Sequence, residues 1–429
     1  MNRCIAFLVL AGCSNGPATP DGGDAVADVN VTTCLDAGLG GLQSFTAPAD
    51  PGAGKIWITA SGEINALTGY PFPPNDWAND TYMEDGWVFV VQEYIIIVDK
   101  ITLWSDPNLS PTDQSQHGPQ VAHVDGPFVV DLHKGGTIIG QGGAPEEATP
   151  IGVFSNQNDN GGAAFDPTTT YGFGFSTVPA SCGAVNVNLT PDEGADFDLM
   201  VQNGYSVLYV GQATWMGDNS GWNPSCGYTS VSASDGGAGS YDFTQLPTTM
   251  SFKLGFSTPT NYVNCQNQSL QGTPLTGEDY PRGVQVASNQ SVYAQVTVHM
   301  DHPFWESFAE DSPVHWDQIA AQYLGGADGG VPTATVEGLV GVGVCPITDE
   351  NKTPVPWRSC AGSYYTPPGN GAMCFNTLSV PLDPMETDPT KAIRDYYDYI
   401  RYTQSTQGHL NSQGLCYVAR QFPSPAGGS

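Results

Sequence analysis

The chain has 429 residues and a formal net charge of -31, because 43 acidic residues stand against only 12 basic ones. Its length and its 40% hydrophobic content are sufficient for a sizeable core, which excludes a chain that is disordered overall. The acidic balance opposes binding to nucleic acid or to anionic lipid through the protein surface.

The N-terminal residues predict an export signal with a lipid attachment site. A basic residue precedes an apolar run from Ile5 to Leu10, and Leu10-Ala11-Gly12-Cys13 offers a small-residue cleavage site. This tetrapeptide resembles the lipobox of bacterial lipoproteins. The resemblance implies that residues 1–12 are a signal peptide and that Cys13 is lipidated, and Ser14 implies an outer-membrane protein facing the periplasm or the cell surface. The lipid anchor is then the expected membrane contact.

The domain organisation follows from composition. Residues 13–33 are small, polar and acidic without apolar periodicity, which predicts a lipidated, flexible tether. Residues 34–429 carry strand signals with no clean linker between them, so we expect a single large β-rich domain. Its last part, about residues 331–429, is rich in Pro and is predicted to wrap around the same body, and a separate domain is the alternative.

The cysteines agree with export. Cys4 would leave with the signal and Cys13 would carry lipid, so eight of the ten cysteines remain. In an oxidising compartment an even set predicts up to four disulfides, whose pairing the spacing does not give. There is no CxxC motif, which argues against a thiolate zinc site. The predicted disulfide cysteines are Cys34, Cys182, Cys226, Cys265, Cys345, Cys360, Cys374 and Cys416.

Alternation of apolar and polar residues predicts a series of short strands separated by Gly, Pro, Asn and Asp clusters. The strongest, Trp87 to Leu103, is apolar on both faces, which indicates a central strand, and its length predicts a bulge or a turn near Gln92-Glu93. Few helical patterns lie between the strands, so we expect a mainly β fold with an antiparallel β-sandwich-like body. The other predicted strands are Ile56 to Ile64, Gln120 to Asp125, Pro127 to His133, Tyr171 to Val178, Ser206 to Trp215, Ser251 to Phe256 and Val284 to His299.

Helix is predicted only late in the chain. Pro303 to Leu324 is expected to be a short helical insert, because Pro303 suits a first helical position and Asp311 and Ser312 are candidate caps for a second start. Pro389 to Tyr402 has apolar residues at helical spacing.

A metal site is predicted where the strand ending at His299 gives way to the insert. His299 ends the polar face of that strand, and Asp301 and His302 follow in the turn. Neutral imidazoles and carboxylates are the ligands expected for Zn²⁺, Cu²⁺ or Fe²⁺, and the strand end holding Asp131 and His133 offers a second set. The hypothesis is that His133, His299 and His302, with Asp131 or Asp301, bind one copper or zinc ion. The alternative is that these histidines cap turns or bond to the backbone.

A second ion site is predicted in the stretch SNQNDNGGAAFD. Asn156, Asn158 and Asn160, with Asp166 further on, match the alternating oxygen ligands of a calcium loop. Pro167 stands where a bidentate Glu belongs in an EF-hand. The alternative is an ordinary Asn-Gly turn, and solubility is the alternative explanation for the acidic composition.

Several stretches resemble an uncharacterised family of bacterial secreted lipoproteins: DGW, VDLHKGG, NQNDNGGAAFD, DHPFWESF and STQGHLN. The resemblance covers nearly the whole chain and implies no activity. A fainter likeness is to periplasmic copper-binding proteins of the metallo-mystery-pair type, which implies a cysteine-stapled β architecture and a histidine metal site.

The function expected is that of an outer-membrane-anchored binding lipoprotein that binds a metal ion through histidines, with a protein or small-ligand partner left open. One alternative is a secreted metal-dependent enzyme that uses the same histidines with Glu306 as general base. The other is a structural cell-envelope protein. No GxSxG elbow or phosphate-binding loop is present to indicate other chemistry.

Overall fold

The computed structural model describes residues 38–76, 80–141, 147–217, 243–308, 310–324, 330–343, 355, 393 and 395–421. The predicted signal peptide and tether lie outside these residues. So do the lipidation site Cys13 and five of the predicted disulfide cysteines: Cys34, Cys226, Cys345, Cys360 and Cys374.

The described part of the chain is mainly β, as the sequence predicts, with a few short helices. Its strands are β1 (Gln43–Ser44), β2 (Ile56–Ser61), β3 (Trp87–Trp104), β4 (Gln120–Val124), β5 (Phe128–Asp131), β6 (Ile138–Ile139), β7 (Glu147–Phe154), β8 (Gly172–Thr177), β9 (Val185–Asn186), β10 (Val207–Trp215), β11 (Thr249–Phe256), β12 (Thr260–Val263), β13 (Val292–Val298), β14 (Thr333–Ala334), β15 (Gly408–Leu410), β16 (Gly414–Leu415) and β17 (Tyr417–Arg420). Its α-helices are α1 (Glu63–Thr68), α2 (Gly194–Asn203), α3 (Asp317–Ala320) and α4 (Tyr396–Gln404). Short 3-10 turns are Gly38–Gly41, Leu132–Lys134, Pro191–Glu193, Phe243–Gln245, His302–Phe304, Ala321–Tyr323 and Glu337–Leu339.

Strand β3 is the centre of the larger sheet, whose main order is β1-β9-β5-β3-β10-β11-β14. Both of its faces are covered, because Ile96 lies in the main core whereas Ile95 packs in a second apolar cluster with residues of α2. Opposite β10 the register shifts: Glu93 faces Val210 and Val91 faces the next residue. Gln92 is therefore an extra residue, and the predicted bulge is confirmed.

The smaller sheet has the order β16-β15-β13-β2-β7-β6. Its central pair, β13 and β2, is parallel, with Val292 opposite Ile56 and Thr297 opposite Ser61, whereas β15 runs antiparallel to β13. The sheets are therefore mixed, and the expectation of an antiparallel body is wrong for this pair. A parallel pair needs a long crossover, and here that crossover includes most of the larger sheet. Apolar residues of both sheets share one core cluster.

The predicted insert from Pro303 to Leu324 is helical only in its first turn and near its end, where α3 and the 3-10 turn Ala321–Tyr323 lie. Its first turn ends where Trp305 adopts extended backbone, and Trp305 then forms a bridge with Val314. The side chains of both residues are buried, so tertiary packing overrides the helical spacing. The second predicted helix exists as α4, whose Asp395 side chain accepts a hydrogen bond from Asp398 N and caps its first turn. In the residues that the structure describes, we find no helix with the length and apolarity of a membrane span.

A disulfide joins Cys265 and Cys416, next to the paired strands β12 and β17. It ties the C-terminal strands to the body, as the predicted stapling requires. Cys182 is also disulfide-bonded.

Candidate metal centre

Three histidines meet at the end of the smaller sheet. His299 follows the last residue of β13, and His409 lies at the middle of β15, opposite Thr297. Because side chains two residues apart share a face, His299 and His409 project from the same side of the sheet. The backbone of His299 continues the pairing, since its N–H donates to Gln407 O at 2.9 Å. His302 joins them from the 3-10 turn that follows.

The three imidazoles are close enough to share one ion. One ring nitrogen of each lies within 4.8 Å of those of the other two. The rings of His299 and His409 stack with centroids 4.1 Å apart, and the ring of His302 stands edge-on to both. His302 and His409 are fully buried, whereas 12% of the His299 side chain is exposed. The group therefore reaches solvent only through the His299 side chain, whose Nε2 is itself buried.

Hydrogen bonding leaves a lone pair of His302 for a ligand. Its Nδ1 lies 2.7 Å from Thr406 Oγ1, and that hydroxyl donates to Thr403 O at 2.8 Å. Since the hydroxyl has one proton, this network assigns the Nδ1 proton to His302 and leaves Nε2 unprotonated. Nε2 has no hydrogen-bond partner in the described structure. Histidines that bind a metal usually donate their other ring N–H to a carboxylate, a carbonyl or a water, and here a hydroxyl takes that position.

The ring of His302 is also held by stacking on Trp305, with centroids 3.7 Å apart. Among the residues described, neither ring nitrogen of His409 makes a hydrogen bond of good geometry, although backbone groups of Thr406 and Gln413 lie close to the ring. Burial, followed by the neighbouring imidazoles, lowers the pKa of His302 and of His409 well below the usual range. Both rings are therefore neutral at pH 7, which is the form that binds a metal.

A carboxylate stands beside the group. Glu63 Oε2 lies 3.2 Å from His299 Nε2, at the distance of an ion pair. Burial opposes the charge on Glu63, yet the adjacent His299 holds the pKa of this carboxyl below its usual value. Burial likewise opposes the charge on His299, but the carboxylates of Glu63 and Asp301 outweigh it and raise the pKa of His299 to about 9. In the metal-free protein these two side chains form a charged pair.

Of the histidines predicted to bind one ion, His299 and His302 come together and His133 does not join them. His133 Nδ1 lies 2.7 Å from Ala66 O, and Asp131 Oδ1 accepts hydrogen bonds from His133 N and Tyr94 N. Both side chains therefore bond to backbone groups, which is the alternative to metal binding that was stated for the histidines. Asp301 is near the group, but its Oδ2 accepts from Trp305 Nε1 at 3.0 Å.

The predicted general base Glu306 has another partner. Its Oε2 lies 2.7 Å from His315 Nε2, and Asp85 Oδ2 lies 3.9 Å from the other nitrogen of that ring. Burial opposes the charge on His315, but the hydrogen bond to Glu306 and the charge of Asp85 raise its pKa. Glu306 therefore belongs to a buried charged cluster with His315 and Asp85.

The predicted calcium loop forms a tight turn that Gly161 and Gly162 close with φ of 65° and 76°. Asn158 bonds to both the N–H and the carbonyl of His123, and Asn160 donates to Gln157 Oε1. Further on, Asp166 Oδ1 accepts from the backbone and the hydroxyl of Thr168, whereas Asn156 is exposed. These are the contacts of an Asn-Gly turn, and calcium binding stays a prediction.

The sequence did not indicate His409. It stands in the polar stretch STQGHLN, far along the chain from β13, and its only local signal is that stretch itself. Comparison with family models, with curated protein sequences and with solved structures found no match to this chain. The functional argument therefore rests on the geometry of the histidine group.

Proposed function

We propose that this protein binds one transition-metal ion through His299, His302 and His409. The observation that carries the proposal is the convergence of three imidazoles, two of them fully buried, with ring nitrogens within 4.8 Å of one another. A buried ring nitrogen without a partner is costly, and His302 Nε2 and the ring of His409 supply such nitrogens. One ion would take one nitrogen from each of the three imidazoles, and three imidazoles suit zinc, copper and iron.

Binding is favoured over catalysis as the role of the ion. Metal-dependent hydrolysis needs an open coordination position and a nearby general base. The partly exposed side of His299 offers the first, but Glu306 is bonded to His315 and is not available as the second. A metal-dependent enzyme is the second candidate function because of that exposed side.

The cellular setting is part of the proposal. The lipobox at Cys13 and the even set of eight remaining cysteines support an exported lipoprotein of the outer membrane, and the Cys265–Cys416 bond suits an oxidising compartment. The shared core of the two sheets supports a sandwich-like packing. The resemblance of several stretches to secreted bacterial lipoproteins also supports this cellular setting.

The test is the metal content of the full chain, purified oxidised and without chelators, then incubated with excess Zn²⁺ or Cu²⁺ and desalted. We expect about one equivalent by mass spectrometry of the elements, since one three-imidazole group holds one ion. His302→Ala and His409→Ala should lose it, and the matched control His133→Ala should keep it.

Because both substitutions fall in the core, circular dichroism of each variant must match the wild type before its metal content is read. Replacing Zn²⁺ with Co²⁺ gives a second readout, since the visible absorption of Co²⁺ reports its ligands directly. Absence of stoichiometric metal from the folded wild-type protein in every case would overturn the proposal.

A further inference from the structure

Strand β15, which carries His409, has only three residues and is held between two neighbouring strands. On one side it pairs with β13, where Thr297 lies opposite His409, and on the other with β16, where Leu415 lies opposite His409. The backbone of Gln413, in the turn that joins β15 to β16, lies close to the His409 ring. The ring makes no hydrogen bond of good geometry within the described ranges, so its position depends on the backbone that these pairings hold.

Strand β16 is held in turn by the segment that follows β12. Gln266 N donates to Leu415 O at 2.9 Å, and Gln114 Nε2 donates to the same oxygen at 2.8 Å. Gly414 lies so close to this segment that an added Cβ would be 2.0 Å from Gln266 O. Because β16 is only two residues long, these contacts determine where it lies.

The disulfide between Cys265 and Cys416 makes the same contact covalent. Cys265 precedes Gln266, and Cys416 is the first residue after β16, so the bond lies at the end of this pairing. On the other side of Gln266, Asn267 Oδ1 accepts a hydrogen bond from Asn411 Nδ2 at 3.0 Å, in the turn after β15. The bond closes a sequence separation of 151 residues and so keeps this distant segment against β16.

We infer that the Cys265–Cys416 bond positions His409, and that metal affinity therefore depends on the redox state of this bond. The inference rests on the proposed three-histidine site. A dithiol that reduces the bond gives up two electrons and two protons, forms its own disulfide and leaves two thiols on the protein. Strand β16 then keeps only its hydrogen bonds, and His409 loses part of the support that holds it beside His299 and His302. By linkage, a bound ion favours the closed disulfide by the same factor by which the closed disulfide raises the affinity for the ion.

The test compares full-length chains in which one disulfide is open. Cys265→Ser combined with Cys416→Ser opens the bond beside the site and leaves no thiol there to bind a metal. Cys182→Ser is the matched control, because Cys182 is also disulfide-bonded but packs against the second apolar cluster, away from the main core. The probe is Zn²⁺ alone, titrated against a chelator of known affinity.

Circular dichroism of each variant must match that of the wild type before its affinity is read. If the double-serine variant does not fold, Gln114→Ala replaces it. That substitution removes a hydrogen bond to the carbonyl of Leu415 in β16 and leaves the disulfide closed.

We expect the double-serine variant to bind Zn²⁺ at least ~10-fold more weakly than the wild type, the scale on which groups that orient a metal ligand change affinity. Cys182→Ser should bind Zn²⁺ like the wild type. Adding His409→Ala gives a readout that general destabilisation would not move. It should weaken binding strongly when the bond is closed and much less when the bond is open, since the opened chain already holds this ligand poorly.

The outcomes that overturn the inference differ from those that overturn the three-histidine site. Unchanged Zn²⁺ affinity in the folded test variant would overturn the inference, and the histidine site would stand. An equal loss in Cys182→Ser would also overturn it, because the effect would then come from destabilisation of the whole chain. Additive effects of His409→Ala and the double-serine change would show that the disulfide does not act through His409. A folded wild-type protein that binds neither Zn²⁺ nor Cu²⁺ would remove the histidine site itself.

Discussion

Glu93, next to the bulge of β3, should make the protein less stable as pH rises. Burial, and then the negative charges of Asp196, Glu193 and Asp131, raise the pKa of Glu93 from 4.5 to about 8. A carboxyl whose pKa is higher in the folded than in the unfolded state favours folding most at pH values below its unfolded-state pKa. This contribution is lost as pH rises through its folded-state pKa. The loss should therefore fall between about pH 4.5 and pH 8.

The size of this loss of stability follows from the pKa shift of Glu93 and from the exposure of its side chain. One pKa unit corresponds to ~1.4 kcal/mol, but Glu93 is only half-buried and solvent screens its charge. After that discount we expect about 1–2 kcal/mol. Glu93→Gln removes the charge, so it should be more stable than the wild type by that amount at pH 9, and nearly equal to it at pH 4.5.

The assay is urea denaturation of wild type, Glu93→Gln and Asp125→Asn at pH 4.5, 7 and 9, comparing midpoints at equal slope. Asp125→Asn changes the net charge equally at an exposed site and controls for general repulsion in this acidic protein. A constant difference between Glu93→Gln and wild type at all three pH values, or a variant less stable than wild type at pH 9, would refute the reasoning.

Three further predictions concern the candidate site and its supports. Thr406→Val should lower Zn²⁺ affinity by about 10-fold or more, measured by titration against a chelator, because the hydroxyl that orients His302 is lost. Thr406→Ser keeps the hydroxyl and should keep the wild-type affinity. Equal affinities in the two variants would contradict this role of Thr406. Replacing Cys265 and Cys416 together by serine should lower the free energy of unfolding by about 2–5 kcal/mol, and an unchanged denaturation midpoint would be the contrary result. Gly408→Ala should lower stability by about 1–3 kcal/mol, since a Cβ there would lie 2.4 Å from a buried tyrosine ring, and a thermal melt like that of wild type would count against it.

Local features of the sequence predicted the parts of the structure that depend on near neighbours. The two apolar faces of β3 and its unusual length can be read from a single stretch of sequence. That length predicted the bulge, which lies at Gln92. The adjacency of His299 and His302 is similarly local, because a strand end and the following turn hold both.

Features that depend on distant pairing were not predictable in this way. His409 reaches the group only because β15 pairs with β13, and no residue near His409 specifies that partner. The same holds for Glu63, whose place is fixed by the parallel register of β2 and β13. Phe304 and Phe308 have helical spacing, four residues apart, but burial of Phe304 and Trp305 against other elements determines the backbone there.

The origin of the three proposed ligands in two separate parts of the chain determines when a metal can be acquired. His299 and His302 follow β13, and His409 lies on β15. A growing or half-translocated chain that lacks residue 409 has no complete site. If the chain is exported unfolded, the ion is selected from the metals of the compartment where folding finishes, and the supply in the compartment of synthesis has no influence on which metal is bound.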